Sequence, residues 1–258
     1  MVRSLIRPNH NLIYIILLIL GLIFINPHPS LALDSPPSTV YQYRNIHSLD
    51  GIGKYYMGRE IAQIMGHRGA FWLERPSREA EEAPSKILGL LNLQSDDVVA
   101  DIGAGTGYLS FLISPLLPQG KVLAVDIQPE MLEIIKYLKS ENNITNVQPI
   151  LATLTNPNLP PNSVDLALMV DAYHEFANPQ EVMQGIVTAL KPGGKVVLVE
   201  YRAENPFIMI KRLHKMTQKQ VKKEMQAVGL VWKETKNILP QQHFMVFEKQ
   251  KPILGSHN

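Results

Sequence analysis

The sequence D-V-V-A-D-I-G-A-G-T-G-Y at residues 97–108 reads as a short buried strand, a glycine turn and the start of a helix. Because Gly103, Gly105 and Gly107 have no Cβ, they can adopt positive φ angles and let a ligand approach the backbone closely. The helix that follows directs its free N–H groups and positive dipole end toward the same crevice. The spacing G-x-G-x-G differs from the G-x-G-x-x-G of dinucleotide-binding loops, and the carboxylate of Asp101 would repel a pyrophosphate. This stretch therefore predicts a site for a ligand that carries an ammonium group.

A second apolar strand that ends in an acid follows this helix. It reads K-V-L-A-V-D at residues 121–126, and residues 127–130 open the next helix. In Rossmann-like folds, an acid at the tip of the second strand binds ribose hydroxyls, so Asp126 is a candidate for that role. Later in the chain, K-P-G-G at residues 191–194 precedes a valine-rich strand.

These motifs, in this order, resemble those of the class I S-adenosylmethionine-dependent methyltransferases, over roughly residues 84–248. The run V-V-A-D-I-G-A-G-T-G resembles the first motif of the family, and A-V-D resembles the second. Strands that alternate with helices predict a mostly parallel sheet covered on both faces. The resemblance implies an α/β, Rossmann-like fold with a seven-stranded sheet, helices on both faces, an antiparallel last strand and an N-terminal helical cap.

The resemblance assigns S-adenosyl-L-methionine as the cofactor, bound at the carboxyl ends of the strands. The loop that starts at Asp101 would hold the methionine part, and Asp126 would hold the ribose. Family members often have an acid after the third strand that contacts the adenine, whereas this chain offers Thr153 or a backbone group. The predicted cofactor-binding residues are Asp101, Gly103, Ala104, Gly105, Gly107, Asp126, Ile127, Thr153 and Asp171.

His174, just after the fourth predicted strand, is the candidate general base. Methyl transfer is an in-line displacement, so much of the catalysis is alignment, but an oxygen or nitrogen acceptor must also lose a proton. Glu175 would orient His174 or bind the substrate, and the alternative is that His174 is a hydrogen-bonded structural residue. Residues 171–174 lack the Asn/Asp-Pro-Pro-aromatic sequence of enzymes that methylate exocyclic base amines or glutamine, which disfavours that acceptor class.

A small-molecule acceptor, methylated on oxygen or carbon, is the preferred interpretation. Arg202 would suit an anionic group on this molecule. No histidine or carboxylate cluster has convincing metal-ligand spacing, so no metal is expected. The predicted substrate contacts are Tyr173, Glu200, Tyr201, Arg202 and His214.

Composition restricts the alternatives. The chain of 258 residues has no cysteine, which excludes disulfides, thiolate metal sites and the cysteine-based arsenic methyltransferases. A net charge of +2 is too small to argue for nucleic acid, and the basic stretch at residues 211–223 fits a solvated helix face. Three other functions stay open at this point: a scaffold that binds the cofactor without turnover, an aminopropyl transferase, and a nicotinamide dehydrogenase, which the glycine spacing disfavours.

The N-terminus predicts export or membrane attachment. Arg3 and Arg7 precede an apolar run at residues 12–25, which is short for a membrane span and fits a signal peptide cleaved after Ala32 or an uncleaved anchor. Either reading places the protein outside the cytoplasm or on the membrane, with membrane contact through residues 12–25. A location outside the cytoplasm conflicts with the expected cofactor, because S-adenosyl-L-methionine is a cytoplasmic metabolite.

The segment between this leader and the methyltransferase domain predicts a proline-containing linker and then an extension. The resemblance implies that this extension caps the cofactor cleft and contacts the substrate; the alternative is that Tyr56, Phe71 and Trp72 only pack against the core. A helix is expected over residues 60–65, and a charged, solvated face over residues 77–82. The predicted domains are residues 1–32, a signal peptide or anchor; 33–83, the linker and cap; 84–250, the methyltransferase domain; and 251–258, a tail.

Overall fold

The computed structural model describes residues 40–251 of the chain. The predicted signal peptide or anchor, with its apolar run at residues 12–25, lies outside these residues, as do residues 252–258 of the predicted tail. Between residues 40 and 251, no helix is both long and apolar enough to cross a membrane.

The cap begins with a small three-stranded antiparallel sheet in the order β1-β2-β3. Its strands are β1 (Tyr41–Tyr43), β2 (Gly51–Tyr56) and β3 (Arg59–Ala62). Met57 and Gly58, both at positive φ (51° and 95°), form the two-residue hairpin between β2 and β3. Such turns match the twist of paired strands and use glycine because it adopts positive φ without strain.

The helix predicted over residues 60–65 is therefore wrong. Residues 59–62 are strand β3, and residues 63–66 have no regular structure. The hairpin turn decides this region, because it brings β3 back against β2, where the backbone groups pair and Ile61 is buried. Within residues 40–83, the helical part of the cap consists of a 3-10 turn at His67–Gly69 and two short helices, α1 (Ala70–Leu73) and α2 (Arg78–Glu81).

A seven-stranded sheet forms the main domain, in the order β6-β5-β4-β7-β8-β10-β9. Only β10 runs antiparallel to its neighbours β8 and β9, while β4 to β8 pair in parallel. This is the sheet that the sequence predicts. Its strands are β4 (Val98–Ile102), β5 (Lys121–Asp126), β6 (Val147–Leu151), β7 (Val164–Val170), β8 (Leu190–Tyr201), β9 (Leu230–Lys236) and β10 (Gln242–Lys249).

Helices cover both faces of this sheet. One face packs against α3, α4 and α5 through residues such as Ile87, Phe111 and Ile135, and the other against α6 and α7 through Met183 and Val221. The apolar stripe of each helix matches this packing, as the 3.6-residue period predicts. These helices are α3 (Pro84–Leu90), α4 (Tyr108–Ile113), α5 (Pro129–Glu141), α6 (Pro179–Ala189) and α7 (Gln218–Ala227).

Candidate cofactor and catalytic site

A cavity of about 530 Å³ lies at the carboxyl ends of β4, β5 and β7, and residues of the cap form part of its lining. Open α/β sheets bind ligands at this edge, and this volume is typical of small-molecule sites. The cavity extends from the glycine loop at Gly103 and Gly105 to His174 and His214. One continuous space thus joins the predicted cofactor loop to the candidate base.

The glycine loop adopts the geometry that its sequence predicts. Gly103, Gly105 and Gly107 have φ angles of 74°, 56° and 82°. An added Cβ would lie 2.7 Å from the Cβ of Ala172 at position 103, and 2.5 Å from Cδ1 of Leu73 at position 105. Glycine is therefore required here both by the backbone conformation and by the close approach of two other segments.

Two further residues of the loop, Ala104 and Gly107, lie outside the cavity lining. The N–H groups of Gly103 and Ala104 both donate to the carbonyl oxygen of Val125, at 2.8 and 3.0 Å. The N–H of Gly107 donates to the Ala104 carbonyl at 2.9 Å. These bonds tie the loop to the end of β5, so Ala104 and Gly107 shape the loop.

Asp126 fastens the same loop from its side chain. Its Oδ2 accepts from the N–H of Gly105 and its Oδ1 accepts from the N–H of Gln128, both at 2.9 Å. Asp126 and Ile127 line the cavity. Burial raises the pKa of Asp126, while the hydrogen bonds from the backbone oppose that shift.

Asp101 lies beneath the glycine loop and is 3% exposed, outside the cavity lining. Ser110 Oγ donates to its Oδ2 at 2.6 Å. Burial raises the pKa of Asp101 to about 6; the charge of Asp126 adds to this shift, whereas the Ser110 hydrogen bond and the Arg78 charge oppose it. Asp101 is therefore a carboxyl group whose charge near pH 6 depends on nearby cations.

Thr153 lines the cavity, but its polar groups are engaged in its own turn. Its Oγ1 accepts from the N–H of Asn156 at 2.9 Å, and its N–H donates to the Asn156 carbonyl at 2.9 Å. This arrangement is a side-chain-stabilised turn of the kind that threonine favours. Contact between the Thr153 side chain and the adenine stays a prediction.

Asp171 lines the cavity with its backbone in the left-handed region, at a φ of 49°. Its Oδ2 contacts Gln242 Nε2 at 2.5 Å, and its buried Oδ1 has no hydrogen-bond partner within residues 40–251. Burial and the charges of Glu82 and Glu200 raise the pKa of Asp171 well above its ordinary value. Burial therefore favours the neutral form of the Asp171 carboxyl group over its charged form.

His174 lies in a 3-10 turn at residues 173–175 and is the centre of a cluster of four side chains. Its Nδ1 is 2.6 Å from Glu200 Oε2, and its Nε2 is 3.0 Å from His214 Nδ1. Glu175 Oε1 lies 3.8 Å from His174 Nε2 and 3.4 Å from His214 Nδ1. Burial lowers the pKa of His174, but Glu200, by charge and hydrogen bond, and the charge of Glu175 outweigh burial and raise it.

The structure corrects the predicted role of Glu200. This residue is 1% exposed and lies outside the cavity lining, so it does not contact a substrate there. Its carboxylate accepts from both the ring and the backbone N–H of His174, at 2.6 and 3.3 Å. Glu200 is a positioning residue for the imidazole.

Tyr173 and Arg202 also do not fit the substrate role, because neither lines the cavity. Tyr173 is fully buried, and its phenol donates to Glu224 Oε2 at 2.7 Å. Adjacent residues in the 3-10 turn point in different directions, so His174 faces the cavity and Tyr173 does not. Arg202 donates to the carbonyl oxygens of Leu239 and Pro240, at 2.8 and 3.0 Å.

The charged residues at one wall were not recognised from the sequence. Residues 77–82 were expected to be solvated, but Arg78 and Glu82 are 6% and 2% exposed and line the cavity. Glu82 accepts from Arg78, from Arg75 and from the phenol of Tyr201, the last at 2.6 Å. The four-residue spacing of Arg78 and Glu82 was the one feature of the sequence that could have indicated this ion pair, because residues four apart on a helix lie side by side.

The remaining walls are mostly apolar and come from the cap and from the loops after β6, β7 and β8. None of these residues carries a motif, so sequence reasoning missed them. The apolar lining residues include Ile64, Met65, Trp72, Leu73, Leu154, Phe176, Met209 and Ile210.

Comparisons with known proteins agree with this geometry. A family model described as a methyltransferase domain matches residues 93–251. An uncharacterized methyltransferase-like protein of Schizosaccharomyces pombe is 30% identical over 142 residues, which cover 55% of this chain and 53% of that protein. The demethylmenaquinone methyltransferase of Tropheryma whipplei is 31% identical over 121 residues, 46% of this chain and 48% of that protein. The chain therefore spans about half the length of these curated relatives.

Among solved structures, a SAM-dependent methyltransferase from Aquifex aeolicus has the same fold. It superposes with a TM-score of 0.67 at 20% sequence identity, and the match covers 72% of this chain and 99% of that one.

Proposed function

The chain belongs to the methyltransferase domain family, and from this premise we propose that it transfers a methyl group from S-adenosyl-L-methionine to an oxygen or carbon of a small, largely apolar acceptor. The observation that supports this most directly is the continuous cavity between the glycine loop and His174. A sulfonium methyl group held at the loop would face an acceptor held beside the histidine.

The cofactor would bind with its methionine part against Gly103 and Gly105, which line the cavity, and its ribose beside Asp126. The charge of Asp126, and of Asp101 beneath the loop, would attract the ammonium and sulfonium groups. S-adenosyl-L-methionine supplies the methyl group, and the residues of the chain supply alignment.

His174 would receive the proton that the acceptor loses. With Nδ1–H donating to Glu200, the lone pair of the neutral ring is on Nε2, which is directed toward His214 and the cavity wall. A proton on an acceptor hydroxyl would move to this nitrogen as the oxygen, or a ring carbon that the oxygen activates, attacks the methyl group.

The walls of the cavity support the proposed acceptor class. Apolar side chains from the cap and from the loops after β6, β7 and β8 line the same cavity as the polar cluster, which suits a flat, apolar molecule with one ionisable oxygen. A quinone-type compound in its reduced form fits this description, and the name of the Tropheryma whipplei relative specifies a substrate of that class.

The test is a methylation assay of the full chain with reduced quinones, simple phenols and S-adenosyl-L-methionine carrying a labelled methyl group. Label in an organic product would support the proposal. Tight cofactor binding without transfer to any of these acceptors would support the alternative, a protein that binds the cofactor without turnover.

Cofactor affinity should depend on Asp126. Asp126→Ala removes the ribose contact and one anchor of Gly105, so we expect at least tenfold weaker binding, about 1.4 kcal/mol. Titration calorimetry with S-adenosyl-L-methionine measures this directly. Asp165 is the matched control, because it also accepts from a backbone N–H, that of Val98 at 2.9 Å, but lies away from the cavity. Unchanged affinity in Asp126→Ala would show that the ribose lies elsewhere.

Cofactor binding near pH 6 should release protons from Asp101. With its pKa at about 6, this carboxyl is half protonated there, and the cationic cofactor would lower that pKa. Release of about half a proton per bound cofactor follows, falling toward zero at pH 8. Calorimetry in buffers of different ionisation enthalpy measures the release. The same proton release in Asp101→Asn would contradict the assignment.

A further inference from the structure

We propose that His174, Glu175 and His214 form a binding site for a divalent transition-metal ion, with Zn²⁺ as the expected occupant. The sequence gives no metal-ligand spacing, because His214 lies 40 positions from His174. The fold brings one nitrogen from each imidazole and one carboxylate oxygen together at the cavity wall. Two histidines and one carboxylate are a common ligand set of catalytic zinc sites.

The distances between the three ligand atoms fit such an ion. His174 Nε2, His214 Nδ1 and Glu175 Oε1 are separated by 3.0, 3.4 and 3.8 Å. Three points at these separations lie on a circle of about 2.0 Å radius, the value for one face of a tetrahedron with metal–ligand bonds of about 2.1 Å. An ion could therefore bind slightly out of their plane with little movement of the side chains.

The proposed ligands His174 and Glu175 are themselves held by hydrogen bonds, as ligands in metal sites usually are. Glu200 accepts from His174 Nδ1–H at 2.6 Å, which fixes the tautomer so that the lone pair is on Nε2. The second oxygen of Glu175, Oε2, accepts from the N–H of Met65 at 3.1 Å. A carboxylate behind a ligating histidine and a hydrogen bond to a ligating carboxylate both raise metal affinity.

The local charge also favours a cation. Glu175 and Glu200 bring two carboxylates to the cluster, and the guanidinium of Arg59, which donates to the His174 carbonyl, is paired with Glu224. Of the cations that line the cavity, Arg75 and Arg78 are paired with Glu82, so Lys211 is the one expected to oppose metal binding. The two carboxylates therefore favour a cation at this position.

Three protein ligands leave the fourth tetrahedral position open to the cavity. This part of the inference rests on the proposed function: an acceptor oxygen bound there would have its pKa lowered by the ion, which would then replace the imidazole as the group that promotes proton loss. Metal binding itself does not depend on methyl transfer and can be measured without cofactor.

The experiment uses the full chain, purified without a polyhistidine tag and stripped with a chelator. Titration with Zn²⁺ alone should saturate at one ion per chain, and Co²⁺ should give the intense visible bands of a tetrahedral site. His214→Ala should weaken Zn²⁺ binding by at least about 100-fold, and Glu200→Gln, which changes no ligand, by about 10- to 100-fold.

Glu175→Gln keeps the size of the side chain and provides a second ligand variant, in case His214→Ala perturbs the fold. His67→Ala is the matched control, since His67 also lies close to a carboxylate, 4.0 Å from Glu130, but outside the cluster. The His67→Ala variant should bind Zn²⁺ with the same affinity as the unsubstituted chain. If the His214→Ala and Glu175→Gln variants both bound Zn²⁺ as tightly as the unsubstituted chain, or if excess Co²⁺ gave no visible bands, the proposal would be overturned. Cofactor titration of the same samples tests the proposed function separately.

Discussion

His174→Ala is expected to lower the rate of methyl transfer by about 10² to 10⁴, with little change in cofactor affinity. The reason is positional: we propose that the acceptor binds beside His174, whereas the cofactor binds against the glycine loop and Asp126, and all of these residues line the cavity. Whether the imidazole takes the proton itself or binds a metal ion that promotes its loss, the variant lacks the group. Single-turnover rates and cofactor titration, measured on the same preparation, separate the two effects.

A second substitution guards against a purely structural effect. Alanine at position 174 would leave the carboxylate of Glu200, 1% exposed, without its main partner, and that alone costs stability. His174→Gln offers an N–H to Glu200 but no imidazole nitrogen. We expect it to fold like the unsubstituted chain and to be as slow as His174→Ala. A His174→Gln variant with normal turnover, or a parallel loss of cofactor affinity, would assign His174 a structural role.

Glu224→Ala is expected to destabilise the protein by about 3–5 kcal/mol. Glu224 is fully buried and accepts from Arg59 Nε and Nη2, at 2.8 and 2.9 Å, and from the phenol of Tyr173 at 2.7 Å. Burial alone would lower the pKa of Arg59, but the charge and hydrogen bonds of Glu224 raise it, so the guanidinium stays charged. Removing the carboxylate leaves a buried, unpaired cation.

Chemical denaturation of the chain measures this loss. The control is Glu133→Ala, which breaks the Glu133–Lys136 pair between side chains that are 58% and 57% exposed, and should change stability by less than about 1 kcal/mol. Replacing both Arg59 and Glu224 by methionine should recover much of the loss, because no unpaired charge remains. Similar losses for Glu133→Ala and Glu224→Ala would show that the buried pair contributes no more than a surface pair.

Arg59 also connects the cap to the 3-10 turn at residues 173–175, which contains His174. Its Nη1 donates to the carbonyl of His174 at 3.0 Å, while its other bonds reach α7. The cap is thus fixed to the main domain next to His174, the proposed general base. Neither Arg59 nor Glu224 forms part of a motif, and 165 positions separate them, so the sequence offered no signal for this pair.

Much of the main domain was predictable because its signals are local. Apolar runs of strand length alternate with helical periodicity, and only glycine tolerates the φ angles at positions 103, 105 and 107. The cap was harder to predict. In residues 59–62 the strand forms because a hairpin returns the chain against β2, and a weak helical pattern did not reveal that pairing.

The sequence by itself determined the parallel sheet, the glycine loop and the positions of Asp101 and Asp126 at strand ends, since backbone preferences and hydrophobic period act over a few residues. Only the tertiary structure decided which side chains meet. It places His214 3.0 Å from His174, makes Glu200 a support for that ring, and turns Tyr173 away from the cavity. Such contacts depend on how separate elements pack and on which way each side chain points, and neither is encoded in the spacing of residues along the chain.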